Sequence, residues 1–137
     1  MLVAASGAGV ALVLDEPLSF WGGLDAGSGT IIDARHPQRG EVVAGRVLVM
    51  PSGRGSSSSS SVLAEAIRGG TGPAALVLAE PDEIVVLGAL VVSILDGNAC
   101  PVAVLAADDY RRLQSGDAVS VGDGGCIEVH PAGLDAG

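Results

Sequence analysis

"RVLVMPSGRGSSSSSSVLAEAIRGGTGPAALVL", residues 46–78, decides the fold. It opens on a strand, 46–50, whose continuous apolar run after Arg46 is of the kind buried on both faces. "PSGRGSS" is the turn out of that strand. "SSSVLAEAIRGG" reads as a helix, with a serine as N-cap and Gly69-Gly70 as its stop. "GPAALVLAEP", 72–81, is a second buried strand. Strand, Gly-rich turn, helix, strand is the order of a βαβ unit, which places 46–79 in an α/β fold.

The six serines, Ser56–Ser61, raise a separate question. A flexible linker would join two independent modules. This tract joins a strand of about five residues to a helix of about ten, too close a connection for an interdomain hinge. Serines cap helices, but capping uses one hydroxyl, two at most, and leaves a surplus. The other reading is an anion site. A helix N-terminus presents unpaired N–H groups and a partial positive charge. Gly53 and Gly55 allow close backbone approach, Arg54 adds a cation, and Ser56, Ser57 and Ser58 offer hydroxyl donors. The loop lacks the G-K-[ST] lysine of a nucleotide-binding P-loop, so an NTPase is not expected.

Outward from this unit the chain is β-rich. Residues 9–14 read as a strand ending at Asp15-Glu16-Pro17, followed by a Gly-rich turn region and a short strand at 30–33. "ARHPQRGEVVAG" is a loop. "DEIVVLGALVVSIL", 82–95, is ambiguous; its β-branched residues favour a strand, whereas Gly88-Ala89 could begin a helix. "CPVAVLA" is a strand, "ADDYRRLQSGD" a short helix or turn, and "AVSVGDGGCIEVH" a hairpin turning at "GDGG". The last residues look frayed. The expectation is a single domain over 1–137, with its core at about 9–130 and a barrel-like sheet layer beside the βαβ unit.

Composition narrows the function. With 48% hydrophobic residues the chain folds around a core, and with 2% aromatics that core is built from Val, Leu, Ile and Ala. A net charge of −9 argues against nucleic acid and anionic membrane surfaces as partners. No apolar run reaches the roughly 18 residues of a membrane span, and the apolar start lacks a basic n-region, so a cytoplasmic protein is expected. All seven basic residues are arginines, a mark of a GC-rich genome that also excludes lysine Schiff-base chemistry. Cys100 and Cys126 form no CxxC pair, so a zinc site has no support and free thiols are expected.

Upstream of the serine loop, "EPLSFWGGLD", then "GTIID" and "HP", lead into "GRVLVMPSGRGSS". In this order the blocks resemble the swivelling β/β/α domain of the aconitase X family, over roughly residues 12–105. The resemblance implies a hydro-lyase that removes water from a hydroxy acid, with an iron–sulfur centre in a large subunit. Family members act on cis-3-hydroxy-L-proline or on mevalonate 5-phosphate; the GC-rich composition tilts the expectation toward hydroxyproline. The resemblance also assigns the catalytic base to Ser56 and a substrate contact to Ser57; Arg54, Gly55 and Ser58 join them as substrate-binding candidates from the anion-site reading. The serines at 58–61 and the looser match beyond residue 93 depart from the family pattern.

The chemistry suits these residues. Dehydration removes a weakly acidic C–H proton beside a carboxylate, and a serine alkoxide can do so if N–H groups and a cation stabilise it. Two separated cysteines are too few for an all-cysteine cluster, so the metal is expected on a large partner chain, in a heterodimer whose small chain is inactive alone. The contrasting class is a free-standing module that binds a small anion without catalysis. Among the other candidates, His36 reads as a surface loop residue, Asp25 and Asp33 as turn residues, Cys100 as a buried thiol, and Asp108 and Asp109 as helix caps. Phe20 and Trp21 either fill a core gap or anchor a partner.

Overall fold

The computed structural model describes residues 7–52, 58–96, 100–122 and 127–130. The described residues of the stretch at 46–78 fold as expected. Strand β4 (Val47–Met50), helix α2 (Ser58–Gly69) and strand β5 (Ala75–Leu78) form a βαβ unit, with Val47 opposite Ala75 and Met50 opposite Leu78 in a parallel ladder. Gly70, at φ 84°, ends the helix, and the N–H groups of Thr71 and Gly72 both bond the Ala66 carbonyl at 2.9 Å. This is the left-handed glycine stop that "RGG" signals.

A second βαβ unit follows directly. Residues 82–95, which leaned toward a strand, are instead helical: α3 spans Glu83–Asp96 and leads to strand β6 (Val102–Val104), parallel to β5. The Asp82 carboxylate decides this locally by accepting from the N–H groups of Ile84 (3.0 Å) and Val85 (3.1 Å). Such a cap, with acidic Glu83 in the first turn, outweighs the weak penalty of β-branched residues in a helix.

The sheet has six strands in the order β6-β5-β4-β1-β7-β8, where β1 is Gly7–Val13, β7 Ala118–Val121 and β8 Ile127–His130. Strand β1 joins two kinds of ladder. Its residues 11–13 run parallel to β4, and its residues 7–10 run antiparallel to β7. The sheet curls there into a half-barrel. A small two-stranded ladder, β2 (Leu24–Asp25) with β3 (Thr30–Ile31), lies outside it.

Strand alternation builds two cores. Leu12, Leu14, Leu48, Met50, Leu76 and Leu78 face α2 and α3, packing on Leu63, Ile67, Val85 and Val92. The intervening Ala11, Val47, Val49, Ala75 and Val77 face the other way, against Val119, Val121 and Leu113. Small side chains suit the concave inside of a curled sheet and larger ones the helical layer.

Phe20 fills a core gap, one of the two readings open for this pair, and Trp21 does not. They sit in one turn, α1 (Phe20–Gly23), which is not a regular helix: Trp21 has ψ 117° and Gly22 φ 77°. The reversal buries Phe20 in the helical-layer core and leaves Trp21 62% exposed. Helix α4 (Ala107–Arg111) is present, but its N-cap is Ala106 and makes no side-chain cap bond. Asp108 and Asp109 are therefore not caps; they lie in the first turn, where Asp108 pairs with Arg111 at 2.5 Å.

Candidate functional site

Parallel strands put their carboxyl ends on one edge, and the loops leaving them form the usual crevice of an α/β sheet. Four segments leave that edge here: Leu14–Ser19 after β1, the serine loop after β4, Ala79–Asp82 after β5, and Leu105–Ala106 after β6. The Leu14 N–H bonds the Val49 carbonyl at 2.8 Å, and that of Leu105 bonds Leu78 at 2.9 Å. The Pro51 carbonyl accepts from both Ala79 (3.1 Å) and Glu80 (3.0 Å). Thus the root of the serine loop is tied to the loop beside it.

The serine loop itself lies outside the described residues. This applies to Gly53, Arg54, Gly55, Ser56 and Ser57; Ser58 opens α2, but its side chain is not among those described. The described helix carries the electrostatic argument. Helix α2 has 12 residues, no acidic residue in its first turn and Arg68 in its last. Its N-terminal positive end is therefore not offset by a carboxylate from its own first turn, unlike that of α3, which begins with Glu83. The helix axis is fixed by the core contacts of Leu63, Ala66 and Ile67.

His36 departs from the expectation of a surface residue. It is 5% exposed. Its Nε2 lies 3.1 Å from the Glu16 carbonyl oxygen, and its Nδ1 accepts from the Gln38 N–H at 3.1 Å. With Nδ1 accepting, Nε2 carries the proton and donates it to Glu16. Gln38 adds two bonds to Asp15, accepting from its N–H at 3.1 Å and donating to its carboxylate at 2.9 Å. Together His36 and Gln38 hold the loop after β1 against the edge, so the histidine positions backbone. The only sequence signal for this was the pairing of "EPLS" with "HP" in one module.

Asp25 and Asp33 are turn residues, as expected. Asp25 accepts from the Gly27 N–H (3.1 Å) and the Ser28 hydroxyl (2.8 Å), and Asp33 from the Arg35 N–H (3.0 Å). Cys100 is a free, buried thiol that donates to the Pro73 carbonyl at 3.4 Å. Burial pushes its pKa up to about 12. A neutral, enclosed thiol is neither a good metal ligand nor a good nucleophile. Among the described residues no three His, Cys, Asp or Glu side chains converge on one point. The described part of the chain thus offers no set that fits an iron–sulfur cluster. Cys100 should resist alkylation at pH 8 in the native protein and react once denatured; peptide mass spectrometry of native and unfolded samples checks this, and rapid native labelling at Cys100 would contradict the burial.

The comparisons with known proteins agree with this architecture. A family model described as the aconitase X swivel domain matches residues 1–129. The cis-3-hydroxy-L-proline dehydratase of Pseudomonas aeruginosa is 48% identical over 122 residues, which cover 84% of this chain but 21% of that protein. The phosphomevalonate dehydratase small subunit of Methanopyrus kandleri is 40% identical over 118 residues, covering 86% of this chain and 84% of the relative. Among solved structures, the holo-form crystal structure of Thermococcus kodakaraensis aconitase X superposes with a TM-score of 0.79 at 29% identity, covering 95% of this chain and 94% of that one. The chain spans about a fifth of the length of the two hydroxyproline dehydratases it matches. No described helix is long and apolar enough to cross a membrane.

Proposed function

The chain belongs to the aconitase X swivel-domain family, and from that premise we propose that it is the small subunit of a two-chain hydro-lyase acting on cis-3-hydroxy-L-proline. It acts as one swivelling unit over its whole length, in the cytoplasm, with a large catalytic chain. The observation that carries this reading is the position of the serine loop. It leaves β4 at the carboxyl edge of the parallel strands and enters α2, whose first turn holds no acid.

In this reading Ser56 is the base. Its oxygen takes the proton from the carbon beside the substrate carboxylate. The electron pair of that C–H bond becomes the new C=C bond, and the hydroxyl on the next carbon leaves as hydroxide, which takes a proton from solvent to become water while Ser56 returns its own proton to solvent. An oxyanion at Ser56 is stabilised by the N–H groups and the dipole of α2 and by Arg54. The N–H of Gly55 and the hydroxyls of Ser57 and Ser58 orient the substrate carboxylate. An iron–sulfur cluster, held by the large chain, would supply Lewis acidity toward the departing hydroxyl.

Substrate choice rests on similarity. The two hydroxyproline dehydratases are 48% and 42% identical to this chain, whereas phosphomevalonate dehydratase small subunits range from 34% to 41%. The latter supply the second reading, a phosphomevalonate dehydratase. Assaying the reconstituted two-chain enzyme on both compounds decides between them. Turnover of hydroxyproline is expected; turnover of mevalonate 5-phosphate alone would select the second reading, and turnover of neither would remove both.

A further inference from the structure

Helix α3 is apolar nearly all round, a pattern that belongs to a helix covered on every side. Only one of its faces is covered. Val85, Ala89 and Val92 are buried against the sheet and α2. Leu87, Leu90, Val91, Ile94 and Leu95 are exposed, the last two at 71% and 74%. Their spacing of three and four residues aligns them as one stripe along the helix. At its N-terminal end the stripe meets a cavity of about 340 Å³ lined by Pro81, Asp82, Glu83, Val86, Leu87 and Leu90. Exposed apolar patches of this kind mark interaction surfaces.

We propose that this stripe is the surface on which the large catalytic chain docks. The inference rests on the two-chain reading above and adds the face to it. Three observations select this occupant. First, α3 crosses α2 at its serine end: a Cβ on Gly88 would lie 2.7 Å from the Ser60 carbonyl oxygen. A chain that brings a substrate to the serine loop therefore lies beside the stripe. Second, some four-fifths of the Pseudomonas aeruginosa relative lies outside the matched region, so in that protein this module shares its polypeptide with a far larger body. Third, charge disfavours a second copy. Glu80, Asp82 and Glu83 rim the stripe's start, the helix carries no basic residue, and the chain's net charge is −9. The complementary surface is apolar, with arginine or lysine opposite those acids, and it inserts an anchor into the cavity.

The test uses the co-expressed large chain and affinity measurements on purified complexes. Ile94→Glu and Leu95→Glu lie on exposed positions and should keep the wild-type melting temperature. Each is expected to weaken binding of the large chain at least tenfold, the loss of about one buried anchor. Turnover should return when the large chain is in excess. Val129→Glu, on strand β8, is the surface control and should bind as the wild type does. Unchanged affinity in Ile94→Glu overturns the proposal. So does self-association of the isolated chain that Ile94→Glu abolishes, because the stripe would then serve a second copy. A wild-type chain that fails to bind the large chain removes the two-chain reading itself, and the docking face with it.

Discussion

Ser56→Ala is expected to lower the dehydration rate of the assembled enzyme by about 10²–10⁴-fold, the usual effect of losing a general base. The substitution removes one oxygen and almost no volume. If the hydroxyl only capped α2, the loss would be about 1 kcal/mol of stability, and turnover in the cold would survive. The two roles therefore separate in two readouts. A base gives a large fall in kcat with a nearly unchanged melting temperature and intact binding of the large chain. A cap gives the reverse. Ser60→Ala is the internal control: Ser60 lies inside α2, past the first residue, Ser58, and its change should leave the rate near wild type. Near-normal kcat in Ser56→Ala, with a drop in melting temperature, would assign that serine to the helix and leave the chemistry without its base.

Gly88→Val should cost roughly 2–3 kcal/mol, the upper part of the range for overpacking a tight contact. A glycine inside an exposed helix would normally be replaced at a gain, because it costs up to about 1 kcal/mol relative to alanine. Here the site is closed. A Cβ would sit 2.7 Å from the Ser60 carbonyl oxygen, 3.2 Å from the Ser60 Cα and 3.3 Å from a Leu63 methyl. Two of those atoms are backbone and cannot rotate away, so α3 would have to move off α2. In a domain of this size the melting temperature should fall by on the order of 10 °C. Gly88→Ala should fall between wild type and Gly88→Val, since its gain in helix propensity offsets part of the clash. A melting temperature that stays level or rises in Gly88→Val would show that the helices do not cross there.

The sequence made one half of this architecture plain and hid the other. The unit at 46–78 was legible because an unbroken apolar run, a Gly- and Ser-rich stretch, a helical pattern and a double-glycine stop follow one another locally. The second unit was not, because Ile84, Val85, Val86, Val91 and Val92 carry strand propensity. The Gly88-Ala89 pair weighed against them was not the signal that decides; the cap at Asp82 is. Length was the better guide, since a 14-residue apolar segment is long for a strand. The double pairing of β1, with β4 36 positions on and with β7 more than a hundred positions on, leaves no local trace. His36 looked like a surface residue because proline follows it; in the fold it is buried, with its ring nitrogens bonded to the Glu16 carbonyl and the Gln38 N–H. The roles of Ser56 and Ser57 were named from family resemblance, and Arg54, Gly55 and Ser58 from the chemistry of an anion site. The structure describes what flanks that loop: the sheet edge, a helix with no acid in its own first turn, and the tie at Pro51.

The central claim is that this chain supplies a base to a dehydratase completed by another chain. Its most direct test is the dehydration of cis-3-hydroxy-L-proline by this chain, by the large chain, and by the two mixed. The account predicts turnover in the mixture and none in either half. Turnover by this chain alone, or equal turnover by the large chain with and without it, would contradict the account.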